Sequence, residues 1–144
     1  MLANRIATIL GIGFIAVALL GFVMPDLLGM HLSMTHHIIH LVTGLVSLWI
    51  GLKGSVSAAK TFCLVFGLVY AGLGIAGFVL GAQGSPTGDV PGPADARLLR
   101  VIPGVLELGT MDHIVHILLG AIYVLGGLAT KTVVRDRDTT TARV

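Results

Sequence analysis

A chain of 144 residues that is 55% hydrophobic and only 11% charged, with 20 glycines, does not have the composition of a soluble domain; its solvent is a lipid bilayer. Nine Lys and Arg against seven Asp and Glu leave a net charge of +2, and without a basic block or an aromatic-interleaved basic patch the chain has no nucleic-acid partner. The single cysteine, Cys63, lies in an apolar run, cannot form an intrachain disulfide and reads as a small core or lipid-facing residue.

In chain order, Ile6 to Met24 is free of charge for 19 residues, close to the 20 that span a hydrocarbon core, and predicts a first helix over residues 5–24. Arg5 before it would suit a secretory signal peptide, but no small-x-small cleavage site precedes Pro25-Asp26, so it is read as a span. Ser33 or Thr35 can cap a second helix over residues 34–52, which stops before Lys53-Gly54. Thr61 to Ala82, again uncharged, predicts a third helix over residues 61–82. Residues 83–111 then form an extramembrane loop rich in Pro and Gly, within which Leu98 to Leu108, carrying Arg100, Pro103 and Glu107, is expected to lie along the interface. A fourth helix follows over residues 112–130, with Thr110 or Asp112 as its cap, and then a polar tail over residues 131–144.

The fold class is therefore all-α: an integral membrane four-helix bundle forming a single domain. Arg5, Lys53, Lys60, Lys131, Arg135, Arg137 and Arg143 fall on one side of it, and Arg97 and Arg100 on the other. By the positive-inside rule both termini are expected in the cytoplasm of a bacterial inner membrane.

The chain also repeats. His37-Ile38-Ile39-His40, followed by Gly44, returns as His113-Ile114-Val115-His116, followed by Gly120, at an offset of 76 residues. Gly11, Gly21 and Phe22 return as Gly67, Gly77 and Phe78 at an offset of 56. Two duplicated hairpins would be related by a pseudo-twofold axis along the membrane normal, with both histidine motifs at the same depth. His37, His40, Gly44, Ser47 and Gly51 share one helical face, as do His113, His116, Gly120, Tyr123 and Gly127. Small and polar residues decide which helix faces meet in lipid, so the second and fourth helices are expected to face each other, with Ala7/Gly11 and Gly77/Gly81 packing the first and third.

Four imidazoles on facing helices, His37, His40, His113 and His116, are candidate ligands for a transition metal such as zinc, copper, nickel or iron. Asp112, Glu107 and Asp26 lie on the same side and could offset its charge or orient a ring. A b-type haem or a chlorin pigment held by His40 and His116, with Gly44 and Gly120 giving the macrocycle room, is the other cofactor reading. A purely structural reading has the histidines bonding between helices. His31 and His36 fall off the stripe and read as interfacial residues. Gly72, Gly74 and Gly77 match a dinucleotide fingerprint in spacing, but they lie mid-span without a preceding strand.

With four spans, a duplicated histidine motif and glycine-rich helices, residues 5–130 resemble a family of small bacterial four-span membrane proteins defined only as a domain of unknown function. His40/Gly44 and His116/Gly120 carry the resemblance, matching a His-x-x-x-Gly at the start of the second and fourth helices; His37 and His113 lie outside that pattern. The resemblance implies no activity. The expected role is non-enzymatic, an accessory or structural subunit of a larger membrane complex, with a small metal- or haem-binding redox or metal-handling protein as the alternative.

Overall fold

The computed structural model describes residues 1–24 and 27–131. The expectation for Asp26 and those for the tail beyond Lys131 lie outside the described residues. Four helices, α1 (Leu2–Gly21), α2 (Met34–Lys53), α3 (Val56–Leu80) and α4 (Thr110–Ala129), are each long and apolar enough to cross a membrane. The chain is a multi-pass membrane protein whose outward side chains, such as Ile9, Leu68, Val79 and Leu125, contact the bilayer. Ser33 caps α2 by accepting from the His36 N–H at 3.3 Å, and Ser55 caps α3 by accepting from the Ala58 N–H at 3.1 Å. The Ser55 cap explains why α3 begins at Val56 rather than at residue 61: a helix capped upstream carries Lys60 at the membrane boundary without interruption. The helix expected over residues 5–24 is displaced toward the N-terminus and ends at Gly21.

Residues 82–108 depart from the expected loop and interfacial segment, and from a purely α-helical chain. They form a three-stranded antiparallel sheet, β1 (Ala82–Gly84), β2 (Asp95–Ile102) and β3 (Leu106–Leu108), with β2 in the middle. Its turn is Ile102-Pro103-Gly104-Val105: proline presets the first corner, Gly104 takes φ +76° at the second, and the Val105 N–H bonds Ile102 O at 3.0 Å. Leu99 pairs with Leu108 and Arg100 with Glu107. Leu98 and Leu108 are buried, and the Ser33 hydroxyl donates to Val105 O at 2.7 Å, so the sheet roofs one end of the bundle.

The glycine stripes of α2 and α4 do not face each other as expected. A Cβ at Gly44 would lie 2.9 Å from Gly11 O and Ile15 N on α1, and one at Gly120 would lie 2.4 Å from Ala71 N on α3. The glycines therefore close each hairpin, α1 on α2 and α3 on α4. A stripe built in steps of three and four resolves into two rows of seven-residue spacing. The row 37, 44, 51 and its counterpart 113, 120, 127 turn to the hairpin partner; the row 40, 47 and its counterpart 116, 123 turn to the bundle core, where Ser47 meets Tyr123 and His40 nears His116 across the hairpins. Ala7 and Gly11 likewise meet α2: the Ser47 hydroxyl donates to Ala7 O at 2.8 Å and accepts from the Tyr123 hydroxyl at 2.7 Å, tying α1, α2 and α4 in the core. Cys63 belongs to that core, with Ala3, Ala59 and Tyr70.

At the far end from the sheet, the Ala3 N–H donates to Thr130 Oγ1 at 2.8 Å and Asn4 Nδ2 to Gly54 O at 3.0 Å. The start of α1, the α2–α3 turn and the end of α4 thus share one end of the bundle, with Arg5, Lys53 and Lys60, while the starts of α2 and α4 share the other.

Candidate metal centre

His40 and His116 meet where the two hairpins touch, and His36 joins them. One ring nitrogen from each of these three buried histidines lies within 4.8 Å of the other two; among the described residues no other trio of His, Cys, Asp or Glu is so grouped. The His36 and His40 ring centroids are 4.3 Å apart, and His36 and His116 are near-parallel at 6.0 Å. Phe14 packs on His40 at 5.4 Å and Tyr70 on His116 at 5.0 Å, walling the cluster with aromatic rings.

The backbone fixes which nitrogen is free. A carbonyl only accepts, so His116 Nδ1–H donates to Asp112 O at 2.6 Å and His36 Nδ1–H donates to His31 O at 3.2 Å. Each ring then keeps its Nε2 lone pair for a ligand, and this is how a hydrogen bond on the remote nitrogen prepares an imidazole for a metal. His40 Nδ1 is buried without a partner. Three nitrogens bound to one ion at 2.0–2.1 Å lie roughly 3.4 Å apart. From a spacing within 4.8 Å the nitrogens would have to close by up to roughly 1.4 Å, through χ rotations of the three rings.

Of the four histidines named from the sequence, the structure brings His40 and His116 together and turns His37 and His113 away. His37 packs against Gly21 and Phe22 of α1, where a Cβ at Gly21 would fall 2.0 Å from its ring. His113 packs in the same way on Gly77 and Phe78 of α3, and its Nε2–H donates to Arg97 O at 2.6 Å. Both lie on the seven-residue row that serves the hairpin, which is why a shared helical face did not mean a shared site. The room for a macrocycle expected at Gly44 and Gly120 is taken by Ile15 and Ala71.

His31 and His36 are buried inside the protein, and His36 joins the cluster. The His31 N–H and the Gly109 N–H both donate to Asp112 Oδ2, at 3.0 and 2.8 Å. The His31 ring stands 3.6 Å from the same oxygen, and its Nε2–H donates to Pro93 O at 3.1 Å. The Asp112 carboxylate raises the His31 pKa above its ordinary value, outweighing the cost of burying the charge. Asp112 Oδ1, in contrast, is buried with no partner and lies 4.0 Å from His36 Nδ1. Glu107 serves the roof and not the cluster: Thr87, the Gly104 N–H and Arg100 enclose it.

Two apolar cavities flank the cluster, of about 170 Å³ between α1 and α4 and about 280 Å³ between α2 and α3. Both are lined by His40 and His116. The other wall residues correspond at the two sequence offsets: Leu10, Gly13, Phe14 and Val17 of the first occupy the places of Phe66, Val69, Tyr70 and Leu73 in the second, and Asp112 takes the place of His36. His36 was not legible as a member of the site because its counterpart is this aspartate; the row 36, 40, 43, 47, offset by 76 from Asp112, His116, Leu119 and Tyr123, would have pointed to it.

The arrangement defines a four-helix membrane protein with a buried three-histidine cluster between two helical hairpins. No protein family, characterised protein or solved structure matches the chain in comparison, so the site is interpreted from its own geometry.

Proposed function

We propose that the chain is a non-enzymatic membrane protein that holds one late first-row transition metal ion, copper, zinc or iron, on His36, His40 and His116. The observation that carries this is the close grouping of the three rings, together with the carbonyl-anchored Nδ1–H groups of His36 and His116, which leave Nε2 as the nitrogen of each ring with a lone pair to give. Without an ion the cluster leaves His40 Nδ1 buried without a partner, at a cost that an ion could offset. Neutral imidazoles bring no charge of their own, and the Asp112 carboxylate beside them counters that of the cation. On the strength of this cluster we place metal handling ahead of the structural or accessory-subunit role expected from the sequence. It is favoured over haem or pigment because the glycine faces are occupied.

In this reading the fold arose by duplication of one hairpin, supported by the matching walls of the two cavities and by the matching seats of His37 on Gly21 and His113 on Gly77. Both termini lie in the cytoplasm of a bacterial inner membrane and the cluster toward the outer leaflet, supported by Arg5, Lys53 and Lys60 gathering at the opposite end. The test is anaerobic titration of the purified, metal-stripped protein with Cu(I), Zn(II) and Fe(II) against a chromophoric chelator. We expect one ion per chain, and at least a hundredfold loss of affinity in each of His36→Ala, His40→Ala and His116→Ala, with His37→Ala near wild type. Failure to retain any of the three ions, or an equal loss in His37→Ala, would overturn the assignment.

A further inference from the structure

The smaller cavity carries an observation that the metal site uses only as a nearby charge. Asp112 lines it and is 0% exposed; its Oδ2 takes two backbone N–H donors, yet its Oδ1 has none. A buried carboxylate oxygen without a donor is costly, and Asp112 forms part of the wall of a space otherwise lined by Leu10, Phe14, Val17, Val115 and Leu119. Apolar cavities near 150 Å³ accept a benzene ring, so about 170 Å³ with the Asp112 carboxylate in its wall suits a six-membered ring bearing a hydroxyl. Gly13 lines the cavity and is exposed on α1 next to Ile12, and a Cβ there would meet nothing within 4 Å.

From this geometry we infer that the cavity between α1 and α4 binds the phenol- or hydroquinone-type ring of a molecule dissolved in the bilayer, its hydroxyl donating to Asp112 Oδ1 and its apolar remainder leaving past Gly13 into the lipid. The ring would lie against His40 and His116, but its binding does not require an ion on them. Binding alone is inferred, with no electron or proton transferred. The equivalent cavity has His36 where this one has Asp112, and His36 Nδ1–H is already spent on His31 O. The two cavities therefore differ in what they offer a hydroxyl.

The test uses the full chain in phosphatidylcholine nanodiscs, with 4-fluorophenol and fluorobenzene as probes followed by ¹⁹F NMR against empty nanodiscs, and metal content measured on the same samples. We expect saturable binding of 4-fluorophenol, at least tenfold weaker binding of fluorobenzene, and loss of 4-fluorophenol binding in Gly13→Leu, which fills the cavity, with metal content unchanged. A second arm compares 4-decylphenol, which should bind more tightly than 4-fluorophenol in proportion to its lipid-borne tail. No saturable binding, equal affinity for the two fluorinated rings, or wild-type binding by Gly13→Leu would each overturn the inference. Tighter binding of the tail-less probe would overturn the bilayer source. Because metal content is read separately, loss of the ion without loss of ring binding would strike the metal assignment alone.

Discussion

Histidines of one motif divide their labour according to which helix their row faces. His37 and His113 pack into the hollows above Gly21 and Gly77, so their loss should loosen the hairpins while leaving the cluster complete. We expect His113→Ala to lower the midpoint of unfolding in detergent, with metal stoichiometry unchanged; equal metal loss in His113→Ala and His116→Ala would contradict the division. Between the hairpins, the Tyr123 hydroxyl to Ser47 contact should show as coupling of roughly 0.5–1.5 kcal/mol in a double-mutant cycle of Tyr123→Phe and Ser47→Ala. Strictly additive losses would mean that the contact is not made. At this scale the sequence named His40 and His116 because they repeat, and could not separate His37 and His113 from them because residues three apart share a helix face. It passed over His36, whose counterpart is an aspartate.

The hairpins rest on backbone contact at glycine, and the roof rests on charge. At Gly120 a methyl group would press into the α3 backbone at Ala71, so Gly120→Ala should cost about 1–3 kcal/mol, the range for overpacking a close contact. At Gly13 a methyl meets nothing, and Gly13→Ala should be neutral or stabilising, by up to about 1 kcal/mol, through helix propensity. Equal costs would refute packing as the cause. In the roof, burial alone would push the Glu107 pKa up, but donors from Thr87 and Gly104 and the nearby Arg100 guanidinium outweigh it and hold it below its ordinary 4.5. Asp95 shifts the same way, with Thr110 and the Arg97 N–H outweighing its burial. Their contribution is therefore present above the unfolded pKa values and is lost as pH falls through the folded ones. His31, shifted up from 6.5, contributes fully below that value and fades as pH climbs through its folded pKa. Amide protection in β2 and β3 should accordingly be greatest between these limits and fall on both sides, and Glu107→Gln should flatten the acid arm without moving the alkaline one. An unchanged acid arm would show that Glu107 does not hold the sheet. The helices were legible from hydropathy alone. The sheet was not, because its strands are short and mostly lack clean alternation, although Pro103-Gly104 between two apolar runs is a turn signal that could have announced it.

Across the whole molecule, the buried histidines and Asp112 gather at the end of the four lipid-facing helices where α2 and α4 begin. If that end faces outward, a cysteine introduced at Gly88 in a Cys63→Ala background should react with a membrane-impermeant maleimide on intact cells, and one at Ser55 only after lysis; the reverse pattern would invert the proposed topology. The central claim is that His36, His40 and His116 close on a single ion, and X-ray absorption at the metal edge of the loaded protein tests it most directly. The account predicts a nitrogen shell at roughly 2.0–2.1 Å with imidazole outer-shell scattering, losing one imidazole in His36→Ala. A sulfur shell at roughly 2.3 Å, or a spectrum unchanged by His36→Ala, would contradict it.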